Sequence, residues 1–463
     1  MSRRRPSNTD ILELTRATDS YIAKLQSRQR LSEIHIDNLV ALYNRYGLSN
    51  IPEIIEYLDA QIAKIRKPHE DALDLCINWL RPESDPNSFI NIDHFVSDKN
   101  RGRFKDFNVH TLVYKRTRTW DWQPITVGVL VPKGVDKTKP VPVHVQWHGG
   151  GFITGDWNFE PFFAAHLLRQ AKANNSVIVA PNYRLMPEAS GKDILEDVED
   201  FWQWFAGPEF TDGIKEVEPG LKLQRKQLLV SGDSAGAFLA VYSWLKCSGP
   251  ELPMQALFLR YPMLRYYGRT WPDTDGPKGK KDELMYMDNW IQRSTVEEKA
   301  EALLAKIKEL ENIGQCPTVT GGTMPLRMLA SFTLSTAGRW KENFQRDNAT
   351  LDILDMINDT SATRLEPTHF PPIFIYHGHD DINCLIEDTR TFVKDCERRW
   401  PGQYKPGSRI HLEVVSELVD KDGGDGFSTQ VGHGFDSNLH EDKEPFLKRT
   451  LEGVRREWGV TQK

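Results

Sequence analysis

The amino-acid sequence predicts an α/β fold: a mostly parallel central sheet flanked by helices on both faces, with a helical cap. Three observations carry this expectation. Short β-branched runs alternate with helical stretches from about residue 105 onward, the pattern of a parallel sheet covered on both sides. Two glycine-rich turns, at 148–151 and 232–236, each follow such a run directly. A helical stretch over 266–345 interrupts the alternation and is too long for a plain connection, since loops beyond about 12–15 residues tend to carry structure or function.

Taken in order, residues 7–80 read as helical. Ile54, Ile55, Leu58, Ile62 and Ile65 fall on one helix face, and Pro52 sits where a first-turn proline is tolerated. Residues 31–46 have a similar face. Strands are expected at 126–132, 141–147, 176–180, 227–231, 256–259, 373–376 and 411–415, with helices at 193–205 and 235–246 between them. Within the insertion, Thr295 and Glu298 have capping-box spacing, and Ala300, Leu303, Leu304, Ile307 and Leu310 form an apolar stripe ending before Gly314. The expected organisation is therefore a helical N-terminal cap region at 1–100, an α/β core at 101–265 and 346–463, and a helical lid insertion at 266–345. Met285, Tyr286, Trp290, Phe332, Leu334 and Trp340 in that insertion read first as lid core, and secondarily as lining for an acyl or aromatic pocket.

Composition narrows the function. The chain has 463 residues, 39% of them apolar, enough for a substantial core. Lys and Arg total 59 against 65 Asp and Glu, a net charge of −6, so there is no basic excess to grip a phosphate backbone. Nucleic acid is not an expected partner. No run approaches the roughly 18 apolar residues that span a membrane. The N-terminus lacks the apolar core of a secretory signal. Five scattered cysteines, Cys76, Cys247, Cys316, Cys384 and Cys396, show no C-x-x-C spacing. They suggest reduced thiols in a cytoplasmic protein and offer no zinc cluster. The Gly/Asp-rich segment at 419–426 lacks the spacing of a calcium loop. No metal and no cofactor are expected, and the oligomeric state stays open, a homodimer included.

Two motifs carry chemistry. Gly232-Asp233-Ser234-Ala235-Gly236 lies between an apolar run and an Ala-rich helical stretch, the context of a nucleophile elbow. Such a turn exposes the Ser234 hydroxyl, and the helix N-terminus beneath it favours developing negative charge. His148-Gly149-Gly150-Gly151 also follows a strand. Acyl transfer by serine passes through an anionic tetrahedral intermediate that needs N–H donors already in place. The backbone of Gly149, Gly150 and Gly151, with the N–H of Ala235 after the nucleophile, is the expected oxyanion hole. A phosphate-binding loop would need G-x-G-x-x-G or a following Lys-Ser/Thr, and neither is there.

Together these motifs resemble the α/β-hydrolase fold, and within it the hormone-sensitive-lipase-like esterases. Asn182-Tyr183-Arg184-Leu185-Met186-Pro187-Glu188 is similar to that family's D-Y-R-L-x-P-E segment, with Asn182 in place of the usual acid. The resemblance covers about residues 125–445. It implies a chain order of Ser, acid, His for the triad. Of the histidines beyond the acid, His411 opens a strand and His440 lies in a charged run. His433, in Gly432-His433-Gly434-Phe435, matches the family's H-G-F segment and is implied as the general base. Asp380 and Asp381 compete for the acid after His377-Gly378-His379. The family spacing H-G-x-x-D selects Asp381, leaving His377 and His379 structural.

The expectation is a serine esterase that cleaves a carboxylic ester of a small molecule through an acyl-enzyme. One alternative is a hydrolase-like acyltransferase, cyclase or product-releasing enzyme of small-molecule biosynthesis. A remoter one is a non-catalytic small-molecule receptor on the same scaffold. A protease of the prolyl-peptidase kind is disfavoured because no blade-like repeats precede the core.

Overall fold

A computed structural model describes residues 102–117, 119, 123–265, 283–286, 289–321, 326–347, 351–359, 361, 365–420 and 431–460. The helical region expected at 1–100 and the Gly/Asp-rich residues 421–426 lie outside the described residues. Ten strands are present among them: β1 (Phe107–Arg116), β2 (Pro124–Pro132), β3 (Val141–Trp147), β4 (Val177–Pro181), β5 (Leu223–Asp233), β6 (Met254–Arg260), β7 (Glu283–Tyr286), β8 (Asn289–Gln292), β9 (Ile373–Gly378) and β10 (Ile410–Val415). Eight of them form one sheet in the order β1-β2-β4-β3-β5-β6-β9-β10, while β7 and β8 pair as a separate hairpin. Within the large sheet only β2 runs against its neighbours.

Alternation of side chains along each strand divides the core into two layers. Val127, Val129, Val143, Val145, Val230, Leu257, Leu259, Ile373 and Ile375 point to one face. Leu130, Ile178, Leu229, Phe258, Phe374 and Tyr376 point to the other. The second face is covered by α1 (Ala165–Ala173) and, later in the chain, by the C-terminal helix Pro445–Trp458. The first face carries α2 (Gly191–Ala206), α3 (Pro208–Val217) and α4 (Ala235–Tyr242). In α2 the start is fixed by a capping box. Ser190 Oγ accepts the Asp193 N–H, and the Asp193 carboxylate accepts the Ser190 N–H at 2.8 Å. Its buried residues Ile194, Leu195, Val198, Phe201, Trp202 and Phe205 then follow the helical period.

The insertion supplies β7, β8, α5 (Arg293–Asn312), α6 (Leu326–Thr336) and α7 (Trp340–Phe344). The expected capping box at Thr295 is not what starts α5. The helix begins at Arg293 with Gln292, the last residue of β8, as its N-cap, so Thr295 already lies inside the first turn. The stripe itself packs inward: Ala300, Leu303, Ile307 and Leu310 are buried and Leu304 is partly so. Leu334 and Trp340 are core residues and Phe332 packs against them, while the side chains of Met285, Tyr286 and Trp290 lie outside the described set. Three further helices complete the chain: α8 (Ile353–Asn358), α9 (Ile386–Arg399) and α10 (Pro445–Trp458).

Candidate active site

The parallel strands β3, β5, β9 and β10 end at one edge of the sheet, and the glycine loop, Ser234, Asp381 and His433 lie in the segments that follow those ends. In an open α/β sheet this edge is where ligands bind. Ser234 follows β5 and serves as the N-cap of α4 with φ of 51° and ψ of −120°. For a residue with a side chain that is a strained conformation, of order 1–3 kcal/mol. The elbow is held by two backbone bonds, from Ser234 N to Arg260 O at 3.0 Å and from Met263 N to Ser234 O at 3.1 Å. It is also too tight for side chains on either side. A Cβ on Gly232 would lie 2.1 Å from Gly236 O, and one on Gly236 would lie 2.1 Å from Trp147 O.

Ser234, His433 and Asp381 form a continuous hydrogen-bonded line. The Ser234 hydroxyl lies 2.9 Å from His433 Nε2, and His433 Nδ1–H donates to Asp381 Oδ2 at 2.7 Å. Asp381 Oδ1 accepts the backbone N–H groups of Asn383 and Cys384, both at 2.9 Å. His377 is fully buried behind it. Its Nε2–H is shared between Cys384 O at 2.8 Å and Asp381 Oδ2 at 3.2 Å, and Thr389 Oγ1 lies 2.9 Å from Nδ1. Asp380 faces the opposite way, toward the exposed His379, whose Nδ1 is 2.9 Å from it. His411 stacks on Phe374, and His440 pairs with Asp442, both away from this line.

Charge supports the geometry. Burial alone would raise the Asp381 carboxyl, but the His433 and His377 rings outweigh it and hold it well below the usual carboxylate range. Burial alone would favour neutral His433, yet the Asp381 carboxylate outweighs that and raises the imidazole above its ordinary value. Cys384 was not singled out by sequence as part of this site. Its thiol lies 4.0 Å from Ser234 Oγ, and burial pushes it up from its ordinary value.

The glycine loop lies beside Ser234, and its carbonyls decide where its N–H groups point. His148 Nδ1–H donates to Gly149 O at 2.8 Å, while Ile153 N–H and Thr154 N–H donate to Gly150 O at 3.1 and 3.0 Å. A planar trans peptide holds its N–H opposite its C=O. The N–H groups of Gly150 and Gly151 are thereby turned away from these carbonyl partners. Among the described residues no backbone carbonyl accepts from Gly150, Gly151 or Ala235. Gly149 lies against Asp233, where a Cβ would come 2.5 Å from the carboxylate. The loop demands glycine at Gly150, where φ is 111° and a Cβ would lie 2.0 Å from Thr154 O.

The insertion grips this loop. Trp340 Nε1–H donates to Gly151 O at 2.7 Å, and the Phe152 ring stacks on Trp340 and Phe344. Arg327 donates Nε–H to Ile153 O at 2.9 Å and makes a bidentate pair with Glu188 at 2.6 and 2.8 Å. Arg346 adds a bond to Glu188 O at 2.9 Å, and Leu185 N–H one to Val319 O at 2.7 Å. The segment that holds Asn182 to Glu188 is thus clamped between glycine loop and insertion. Asn182 itself uses its side-chain oxygen to accept the Trp157 N–H at 2.9 Å.

A family model for the alpha/beta hydrolase fold matches residues 144–343, a span that contains both glycine turns and the nucleophile elbow. The core is an α/β-hydrolase fold. Among curated relatives, the probable carboxylesterase M8 of a Phoma species is 35% identical over 167 residues, covering 35% of this chain and 49% of that protein. Probable carboxylesterase 1 of Arabidopsis thaliana is 28% identical over 178 residues, covering 33% and 52%. Tuliposide A-converting enzyme b1 of Tulipa gesneriana is 29% identical over 175 residues, covering 33% and 45%. The chain spans about half the length of these curated relatives. Among the described residues, none of the α/β-hydrolase core's helices or the insertion's is long and apolar enough to cross a membrane. No group of three His, Cys, Asp or Glu among them is arranged to hold a metal ion.

Proposed function

We propose that the protein is a serine hydrolase that cleaves a carboxylic ester of a small molecule, of the hormone-sensitive-lipase-like kind. The observation that carries this reading is the line from Ser234 Oγ through His433 to Asp381, with spacings of 2.9 and 2.7 Å, on a strained elbow. Ser234 Oγ attacks the ester carbonyl carbon as His433 Nε2 takes its proton. The carbonyl oxygen becomes an oxyanion held by the N–H groups of Gly150, Gly151 and Ala235. Gly149 packs against Asp233 and gives the loop its close approach to the elbow. His433 then returns the proton to the departing alkoxide, the alcohol leaves, and Ser234 carries the acyl group. Water attacks that acyl-enzyme with His433 again as base, releasing the acid and restoring the serine. Asp381 holds the Nδ1–H tautomer and stabilises the imidazolium that forms twice per cycle.

Trp340 and Arg327 of the insertion act as a fixed wall of the acyl site, on the strength of their bonds to the glycine loop. A cytoplasmic location fits four described cysteines that are all unbridged. The test is turnover of p-nitrophenyl esters of increasing acyl length by the parent protein and by Ser234→Ala. Hydrolysis that falls by roughly 10⁶ in the variant supports the reading. Hydrolysis at the parent rate without the serine hydroxyl overturns it.

A further inference from the structure

Behind the proposed triad lies a buried ionic network that the hydrolytic steps do not use. Arg260, the last residue of β6, is wholly buried. Its Nη2–H donates to Asp233 Oδ1 at 2.8 Å and its Nη1–H to Asp436 Oδ2 at 2.7 Å. Asp233 directly precedes the nucleophile and pairs with Arg260 in sheet register. Asp436 follows the base by three residues, in a loop without helix or strand. Four side chains donate to the Asp436 carboxylate: Arg260, Tyr261 at 2.9 Å, His166 at 3.1 Å and Tyr376. The ring of Tyr261 also packs edge-on against His433, with centroids 4.8 Å apart.

An isolated buried guanidinium or carboxylate costs several kcal/mol, so such groups persist only where they are paired with opposite charge. Here the partners belong to the two pieces whose separation sets the Ser234–His433 distance. We propose that Arg260 and Asp436 form a strut that fixes the base-bearing loop to the nucleophile elbow, and that both are positioning residues for the acyl-transfer steps. One planar guanidinium reaches both carboxylates at once, which the point charge of a lysine does not. Tyr261 serves twice, by holding Asp436 through its hydroxyl and His433 through its ring. The inference rests on the serine-hydrolase reading.

The test uses Asp436→Asn, Arg260→Lys and Tyr261→Phe. In Asp436→Asn an amide N–H₂ replaces one acceptor among four donors. In Tyr261→Phe only one hydroxyl is lost and the ring stays, so this variant is the one expected to keep its fold. For each, kcat and KM on a short ester, the rate of fluorophosphonate labelling, the thermal midpoint and the low-field proton resonance of the His433–Asp381 bond are measured. Misplacement of a reacting group by about 1 Å can cost about 10²-fold. Asp436→Asn and Arg260→Lys are expected to lose about 10–100-fold in kcat and in labelling rate with little change in KM. Tyr261→Phe is expected to lose roughly 3–10-fold, with a shifted or broadened low-field resonance. Folded variants with parent kcat, labelling rate and resonance, whatever their thermal midpoint, overturn the strut. Failure of the parent protein itself to label at Ser234 would instead overturn the reading beneath it.

Discussion

Replacing Trp340 by Phe removes the indole N–H from Gly151 O while keeping an aromatic ring against both Phe152 and Phe344. The carbonyl it leaves is buried, and an orphaned buried acceptor costs about 1–3 kcal/mol. The void left by the smaller ring adds on the order of 1 kcal/mol. At roughly 2 °C per kcal/mol for a large domain, the thermal midpoint should fall by roughly 4–8 °C. The catalytic effect is one step removed, because the indole holds the Gly151–Phe152 peptide plane and the oxyanion N–H of Gly151 belongs to the plane before it. Gly151 has φ of 62°, open to rotation in a glycine, so freeing its carbonyl loosens the residue that carries the oxyanion N–H. Complete loss of one oxyanion donor costs about 10²–10³ in turnover, so a loosened donor should cost roughly 10-fold or more. The assay is steady-state hydrolysis of a short p-nitrophenyl ester well below the midpoint, with kcat and KM resolved. A lowered midpoint with kcat within twofold of the parent would refute the idea that the insertion organises the oxyanion loop, and would reduce Trp340 to packing.

Asp381→Asn should lower kcat by about 10⁴ by supporting the wrong His433 tautomer, whereas Asp380→Asn should leave it within about twofold, as both read from initial rates. Since His433 must be neutral to accept the serine proton, kcat/KM should fall as pH drops through its raised value, placing the acid limb above pH 6.5. A pH–rate profile checks this, and in Asp381→Asn any remaining limb should move down, because the carboxylate that raises the imidazole is gone. Ser234→Gly should abolish hydrolysis yet stabilise the fold by about 1 kcal/mol in a denaturant titration, because glycine adopts a φ of 51° without the strain that serine bears.

The parts of the fold most legible in sequence were those whose side chains face apolar surroundings on both sides. Strands β3 to β6 and β9 read as near-continuous apolar runs because helices cover both faces. The edge strand β1 was missed, since one of its faces is exposed and Asn108, His110, Thr111 and Lys115 break the run. Short α1, whose residues 165–173 carry Arg169 and Lys172, gave too few turns for its period to stand out. In α5 the chain passes from β8 into helix without a separate capping residue, so the capping-box spacing at Thr295 pointed three residues too late.

At the site, Ser234 and the glycine loop were legible because tight backbone approach leaves a glycine signature. His433 and Asp381 came from motif spacing, as their loops have no periodicity to read. Which N–H groups of the glycine run are free of carbonyl partners is not legible in sequence, because it depends on what the loop's own carbonyls accept. Arg260 and Asp436 escaped altogether. Their one local sign is an arginine closing the apolar run Leu257-Phe258-Leu259, whose meaning appears only when a loop 176 residues later brings its counter-ion. Trp340 was read only as lid core or pocket lining and Arg327 not at all, because each contacts the glycine loop from more than 170 residues away.

The most direct measurement is the intact mass of the parent protein and of Ser234→Ala after treatment with a fluorophosphonate, followed by peptide mapping. A single adduct on the parent, mapped to Ser234 and absent from the variant, is the expected result. An unmodified folded parent, or an adduct that persists in Ser234→Ala, would contradict the assignment of Ser234 as the activated nucleophile.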